Sequence, residues 1–296
     1  MAEQAASFDR LADSPRPRLI RLAYRLLGSV EEAEDVVQDA WLRVATVDPP
    51  PRDVNAYLVR TVTNLALDRL RHLRVQRQAY FGPWLPEPLE TALDEPSQPV
   101  DLADDLSVAF LLLLERLTPT ERVAYVLREA FDLSFQQMAD LLGVQPAACR
   151  QRYHRARRKL TGARPTRPEP RMQRRALERL IEAVSAGDTE RVANLLTDDA
   201  VLLTDGGGRV SAAIRPVTDP RRIAQVMVHL TMRQQLDRFH LEFRELNGGA
   251  GLLVSEIGAG GERIPYASFQ VDVEGERVSR IYVVRNPEKL ARLWRA

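Results

Sequence analysis

Arg150, Arg152, Arg155, Arg157, Arg158 and Lys159 lie close together in this chain, in a stretch with no acid. Arginine can make two parallel hydrogen bonds to a guanine edge, and glutamine can do the same with adenine. Spacings of three and four put Arg150, Gln151, His154 and Arg155 on one stripe of a helix. That stripe suits base reading in a major groove. Arg157, Arg158 and Lys159 lie further along and suit phosphate contacts, which add affinity without sequence choice. Arg152 is compatible with either role. The formal net charge is only +1 over 296 residues, so nucleic-acid binding must rely on this local patch.

Other chemistry is weakly marked. Asp205 and Asp237 are acids and His229 and His240 are candidate bases, but nothing in the sequence makes them converge for proton transfer. No catalytic residue is assigned, and the chain is read as a non-enzyme. His72, His154, His229 and His240 lack ligand spacing with each other or with the single Cys149, so neither a metal nor a cofactor is expected. Asp205-Gly206-Gly207-Gly208 lacks the Lys-Ser/Thr of a phosphate loop and reads as a tight turn. One cysteine excludes a disulfide framework and fits a reducing cytoplasm. The N-terminal MAEQAASFDRLADS does not read as a secretory signal, and no apolar run reaches the ~18 residues of a membrane span. The expectation is a cytoplasmic protein without a membrane partner.

Local signals define the elements that carry the basic stripe. Ser134 with Gln137 forms a capping box, Gly143 can end one helix in the left-handed conformation, and Pro146 suits the first turn of the next. The pattern is a helix-turn-helix, with Cys149 and Tyr153 facing inward. Thr118-Pro119-Thr120-Glu121 opens an earlier helix by the same logic.

Upstream, residues 8–75 read as all helix. Gly28 stops one helix, and Ser29 with Glu32 caps the next, in which Val30, Ala33, Val36, Val37, Ala40, Trp41 and Val44 recur at helical steps. The opposite face is acidic, and a further helix through NAYLVRTVTNLALDRLRHLRVQR ends basic. Residues 76–104 form a proline-rich linker in which Tyr80, Phe81, Trp84, Leu85 and Leu89 are large apolar groups. We read these as docking residues; the alternative is a loop folded against its own neighbouring domain. Residues 105–162 hold the helix-turn-helix domain. From 172 to 296 the pattern becomes α+β: helices, then four strand patterns, FHLEFREL, AGLLVSEI, RIPYASFQVDV and RVSRIYVV. That order suggests a curved antiparallel sheet wrapped over helices, an architecture that often encloses a pocket.

Residues 8–162 resemble an extracytoplasmic-function (group IV) sigma factor of bacterial RNA polymerase. The likeness lies in EEAEDVVQDAWLRV, in YLVRTVTNLALDRLR and in the helix-turn-helix ending YHRARRKL. Trp84-Leu85-Pro86-Glu87-Pro88, Asp205-Gly206-Gly207-Gly208 and Asn286-Pro287-Glu288-Lys289-Leu290 resemble a subgroup with a C-terminal SnoaL-like domain. The implied fold class is multidomain: two all-α sigma domains and an α+β SnoaL-like cone.

The implied function is promoter-specific initiation with the polymerase core, modulated in cis by the C-terminal domain. By resemblance, Asp35, Gln38, Asp39 and Arg43 grip the polymerase clamp. Asn64, Arg69 and Arg71 serve the minus-ten element, where a flipped base needs a polar pocket. This chain has Tyr57 where the family often has tryptophan. Arg150, Gln151, Arg152, His154, Arg155 and Arg158 serve the minus-thirty-five element in duplex DNA. Trp84, Leu85 and Pro86 are expected to contact Asp205, Gly206, Gly207 and Gly208 within the chain, with Asn286 and Pro287 in the same regulatory set. A small ligand of unknown identity in the C-terminal domain stays open, as do two other functions: a stand-alone helix-turn-helix regulator, and an enzyme fused to a DNA-binding module.

Overall fold

The computed structural model describes residues 16–91, 106–161, 170–232 and 238–294. Residues 8–15, most of the second half of the linker, and Asp237 lie outside the described residues. Among the described residues the chain divides at Leu73/Arg74, Arg116/Leu117 and Lys159/Leu160 into two units, each considered by itself.

In the first unit, capping chemistry sets the helix ends. Helix α1 (Arg16–Leu27) stops at Gly28, which has φ 69°. Ser29 then accepts from the Glu32 amide to open α2 (Val30–Thr46). Helix α3 (Val54–Gln78) buries Leu58, Val62 and Ala66 at helical spacing, while α1 and α2 contribute Leu22, Leu26, Ala33 and Ala40 to the core. Thr118 and Glu121 form the expected capping box at α5 (Pro119–Phe131), as do Ser134 and Gln137 at α6 (Phe135–Leu142). Gly143 takes the left-handed conformation, and α7 (Pro146–Leu160) follows. The buried Arg122 of α5 donates from Nη2 to the Arg25 carbonyl of α1 at 2.9 Å, tying the helix-turn-helix segment to the first helices inside this unit.

The second unit contains the described linker residues, α4 (Val108–Leu114) and the C-terminal domain. Helix α4 has the sequence VAFLLLL, too apolar for an exposed surface, and its Val108 and Ala109 join Leu85, Leu246, Leu253, Tyr282 and Leu290 in one cluster. The sheet order is β2-β1-β6-β5-β4-β3. The strands are β1 (Leu196–Asp205), β2 (Val217–Thr218), β3 (Phe239–Leu246), β4 (Gly249–Ile257), β5 (Arg263–Glu274) and β6 (Arg277–Val284). The four strand patterns read from the sequence are all present. One pairing refines the antiparallel expectation: β1 runs parallel to β6, so the sheet is mixed. Register shifts in the pairings of β1, β4 and β5 mark irregularities of the kind that bend a sheet.

Alternation along the strands gives the sheet two apolar faces. Leu202, Leu252, Val254, Ile281 and Val283 face one core with α8 (Pro170–Ser185), α9 (Thr189–Asn194) and α10 (Pro220–Met232). Their neighbours Leu203, Leu253, Tyr282 and Val284 belong to the other cluster, with Leu85, α4 and α11 (Pro287–Leu290). The linker extends the sheet at β3. Glu90 bridges antiparallel to Leu246, the Asn247 amide donates to the Leu89 carbonyl at 2.7 Å, and Thr91 N donates to the Glu245 carbonyl at 3.2 Å.

Candidate functional site

Helix α7 turns Cys149, Tyr153, Ala156 and Leu160 inward. The Tyr153 hydroxyl donates to Glu129 Oε1 at 2.6 Å, which fixes the rotation of the helix. That rotation exposes Arg150, Gln151, His154, Arg155 and Arg158 together and leaves Arg152 half-buried. Arg155 Nη2 donates to Gln151 Oε1 at 3.3 Å, and the Arg150 guanidinium lies 5.5 Å from the centre of the Phe135 ring. Lys159 behaves differently from the phosphate contact expected of it: its ammonium donates to Glu121 Oε2 at 2.7 Å. Burial alone would raise the Glu121 carboxyl, but the bonds from Lys159 and Thr118 hold it below its ordinary value.

On α2, Asp35, Gln38, Asp39 and Arg43 are exposed along one side. Sequence reasoning missed Leu42, which is 59% exposed on the same stripe. Its signal was an apolar side chain seven residues beyond Asp35, outside the buried set Ala33, Val36, Val37 and Ala40. On α3, Asn64 and Arg71 are exposed and share a face, while Arg69 points about 140° away from Asn64 at ~100° per residue. Arg69 pairs with Glu32 of α2 instead, Nη2 to Oε1 at 2.6 Å. That contact raises its pKa above the ordinary value, chiefly through the Glu32 hydrogen bond.

The linker site is built around one carboxylate. Asp205 ends β1 and is fully buried. Its Oδ1 accepts from the Tyr80 hydroxyl at 2.6 Å and the Gly207 amide at 3.0 Å. Its Oδ2 accepts from the Leu85 amide at 2.9 Å and Lys289 Nζ at 2.7 Å. The backbone carbonyl of Asp205 accepts from the amides of Arg285 and Asn286 at 2.7 and 2.9 Å. Asn286 Nδ2 donates to Tyr80 Oη at 3.1 Å, Asn286 Oδ1 caps α11, and the exposed Pro287 starts that helix.

Around the carboxylate, Leu85, Pro86 and Gly206 are buried, and Trp84 is half-buried. Trp84 lies under the Arg77 guanidinium at 3.6 Å and 4.4 Å from Lys289 Nζ. Gly207 has φ 61°, and a Cβ there would sit 2.4 Å from Asn286 Nδ2, so only glycine permits this approach. Gly208 is exposed, with Phe81 beside it. Thus Leu85 meets Asp205 through its amide, Tyr80 meets both Asp205 and Asn286, and Trp84 lies beside Lys289. Lys289 was the missing member.

The four donors leave Asp205 no open oxygen for proton chemistry. His229 is exposed on α10.

Comparison with known proteins places this geometry in a family. The Sigma-70 region 2 model matches residues 11–75, and the Sigma-70 region 4 model matches residues 107–160. The chain is 35% identical over 283 residues to the ECF RNA polymerase sigma factor SigJ of Mycobacterium tuberculosis, covering 93% of this chain and 90% of that protein. A probable ECF sigma factor of the same organism, SigI, is 35% identical over 187 residues, covering 61% of this chain and 64% of SigI. The crystal structure of M. tuberculosis SigJ superposes with a TM-score of 0.73 at 32% identity, covering 93% of this chain and 95% of that one. The chain belongs to the ECF RNA polymerase sigma factor family.

Two outcomes follow from the buried carboxylate. Asp205→Asn should destabilise the second unit by about 3–5 kcal/mol, because it leaves the Lys289 ammonium buried without its counter-ion. Lys289→Met should cost less, since Tyr80, Leu85 and Gly207 still serve the carboxylate; denaturant titration of the two variants gives the order. The second outcome concerns pH. Burial, partly offset by Asp205, lowers Lys289 from its ordinary 10.5 to about 8. Unfolding between those values takes up a proton, so the stability this site contributes is lowest below pH 8 and rises as pH increases toward 10.5. Wild type should therefore gain stability relative to Lys289→Met on moving from pH 7 to pH ~9.5. Above about pH 10 the Tyr80 hydroxyl, pushed up by burial and by Asp205, acts in the opposite sense. A gap that narrows over the lower window would contradict the burial of this lysine.

Proposed function

We propose that this chain directs RNA polymerase core to specific promoters, and that its C-terminal domain sets that activity in cis by holding the linker. Family membership supports the first part: sigma factors of this family bind the polymerase core and promoter DNA. The single observation supporting the second is the Asp205 carboxylate. It bonds the linker at Tyr80 and Leu85 and the C-terminal domain at Gly207 and Lys289.

In this reading Asp35, Gln38, Asp39 and Arg43, joined by Leu42, meet the polymerase clamp. An exposed leucine among charges is the sort of residue an interface buries. Asn64 and Arg71 serve the melted minus-ten element, and Arg69 joins them on release from Glu32. Arg150, Gln151, His154 and Arg155 read the minus-thirty-five element from the major groove, with Arg152 and Arg158 on the backbone. The chain carries out no reaction of its own. Its place is the cytoplasm, where the polymerase is, and among the described residues no helix is long and apolar enough to cross a membrane.

A transcription assay with purified core polymerase tests both parts. The full chain should yield promoter-specific transcripts that core alone does not. Trp84→Ala and Asp205→Asn should each shift output in the same direction, and the double variant should do no more than the larger single change. Additive effects would separate the linker from the carboxylate and defeat control in cis. Arg150→Ala and Arg155→Ala should relax upstream base preference, each losing about 1–3 kcal/mol of discrimination. Arg158→Ala should weaken binding to all sequences alike and flatten the salt dependence. Equal effects of all three on specific and non-specific DNA would refute the assignment of the stripe.

A further inference from the structure

Strands β1 and β6 run parallel, so their C-terminal ends lie side by side, with Asp205 opposite Val284. At both ends consecutive residues serve opposite faces of the sheet. Asp205 and Asn286 face the linker, whereas Thr204 and Arg285 line a cavity on the helical side. That cavity has a volume of about 220 Å³ and lies among α8, α10 and the inner face of the sheet. Its wall is mainly aliphatic and aromatic, including Leu202, Val226, Leu252 and Phe269. Among the described residues no carboxylate lines it, and Arg285 is the one charged group that does.

Arg285 is incompletely satisfied. Its Nη1 donates to the Ser211 carbonyl at 2.7 Å, and its guanidinium lies 4.4 Å from the centre of the Tyr266 ring. Its Nε is buried without a hydrogen-bond partner. A buried donor left unpaired is costly, and a guanidinium recognises a carboxylate better than any neutral acceptor. An apolar chamber closed at one end by an under-bonded cation calls for a ligand with an apolar body and one anionic head.

We propose that this cavity binds a medium-chain carboxylate, with the tail among the wall residues and the carboxylate paired with the Arg285 guanidinium. Occupancy is felt at the linker. The Arg285 amide shares the Asp205 carbonyl with Asn286, and Asp205 holds Tyr80 and Leu85. This coupling rests on the proposed control in cis. The binding does not, and it is measured on the full chain without polymerase.

Calorimetric titration with decanoate and with decanol, both below their aggregation limits, tests the proposal. Decanoate should bind one per chain, about tenfold or more tighter than decanol, as a charge-assisted contact requires. Arg285→Gln should abolish the preference and leave decanol unchanged, and Arg285→Lys should restore part of it. Val226→Trp, which fills the cavity, should abolish binding of both while retaining a cooperative melt. Equal affinity for the two ligands, binding that survives Val226→Trp, or no binding of either ligand would overturn the site. By reciprocity, Asp205→Asn touches no cavity wall yet should change decanoate affinity several-fold. An unchanged affinity would overturn the coupling while leaving the site and the sigma-factor reading in place.

Discussion

A carboxylate removed from water must be met by donors on every side, and Asp205 draws its donors from distant parts of the chain. Tyr80 and Leu85 come from the linker, Gly207 from the adjoining turn and Lys289 from the last helix. Removing any one leaves the rest of a buried charge network under-satisfied, which costs more than a single hydrogen bond. Much of the local structure follows from that constraint. The linker must run extended to present the Leu85 amide. Gly207 must lack a side chain so that Asn286 can approach. Lys289 must give up most of its hydration, with Trp84 close to its ammonium.

The sheet turns this local network into a two-sided device. One face of β1 and β6 is occupied by the linker, α4 and α11, and the other by the helices around the cavity. Because side chains alternate along a strand, a change felt at Thr204 or Arg285 has only one peptide unit to cross before it reaches Asp205 or Asn286. In the first unit, α7 presents its exposed basic stripe because Cys149, Tyr153 and Ala156 occupy the inner side. Promoter reading and its control thus rest on separate packing problems.

The legible parts of this molecule were the local ones. The capping boxes at Thr118–Glu121 and Ser134–Gln137, the left-handed Gly143 and the inward Cys149 and Tyr153 all follow from residues within one or two turns of each other. The four strands followed from alternation. What escaped depends on partners far along the chain. The parallel pairing of β1 with β6 joins segments some eighty residues apart, and no local pattern encodes it. Arg69 looked available for DNA until the packing of α2 against α3 brought Glu32 to it, and Lys159 likewise meets Glu121. Lys289 sits in a short polar motif that reads as exposed, since lysine is seldom buried without a partner, and its partner lies at Asp205. Helix α4 lies within the stretch read as the helix-turn-helix domain, and its Val108, Ala109 and Leu112 pack with Leu85 and Tyr282, partners that no local pattern announces.

The most direct measurement is hydrogen exchange at the Leu85 backbone amide in the full chain, because that N–H bonds to Asp205 Oδ2 at 2.9 Å. Strong protection is expected at neutral pH, with a loss of about a hundredfold or more in Asp205→Asn, matching a network worth ~3 kcal/mol or more. Exchange at the rate of an unstructured peptide in the wild type, or protection that survives Asp205→Asn, would mean that this carboxylate does not hold the linker.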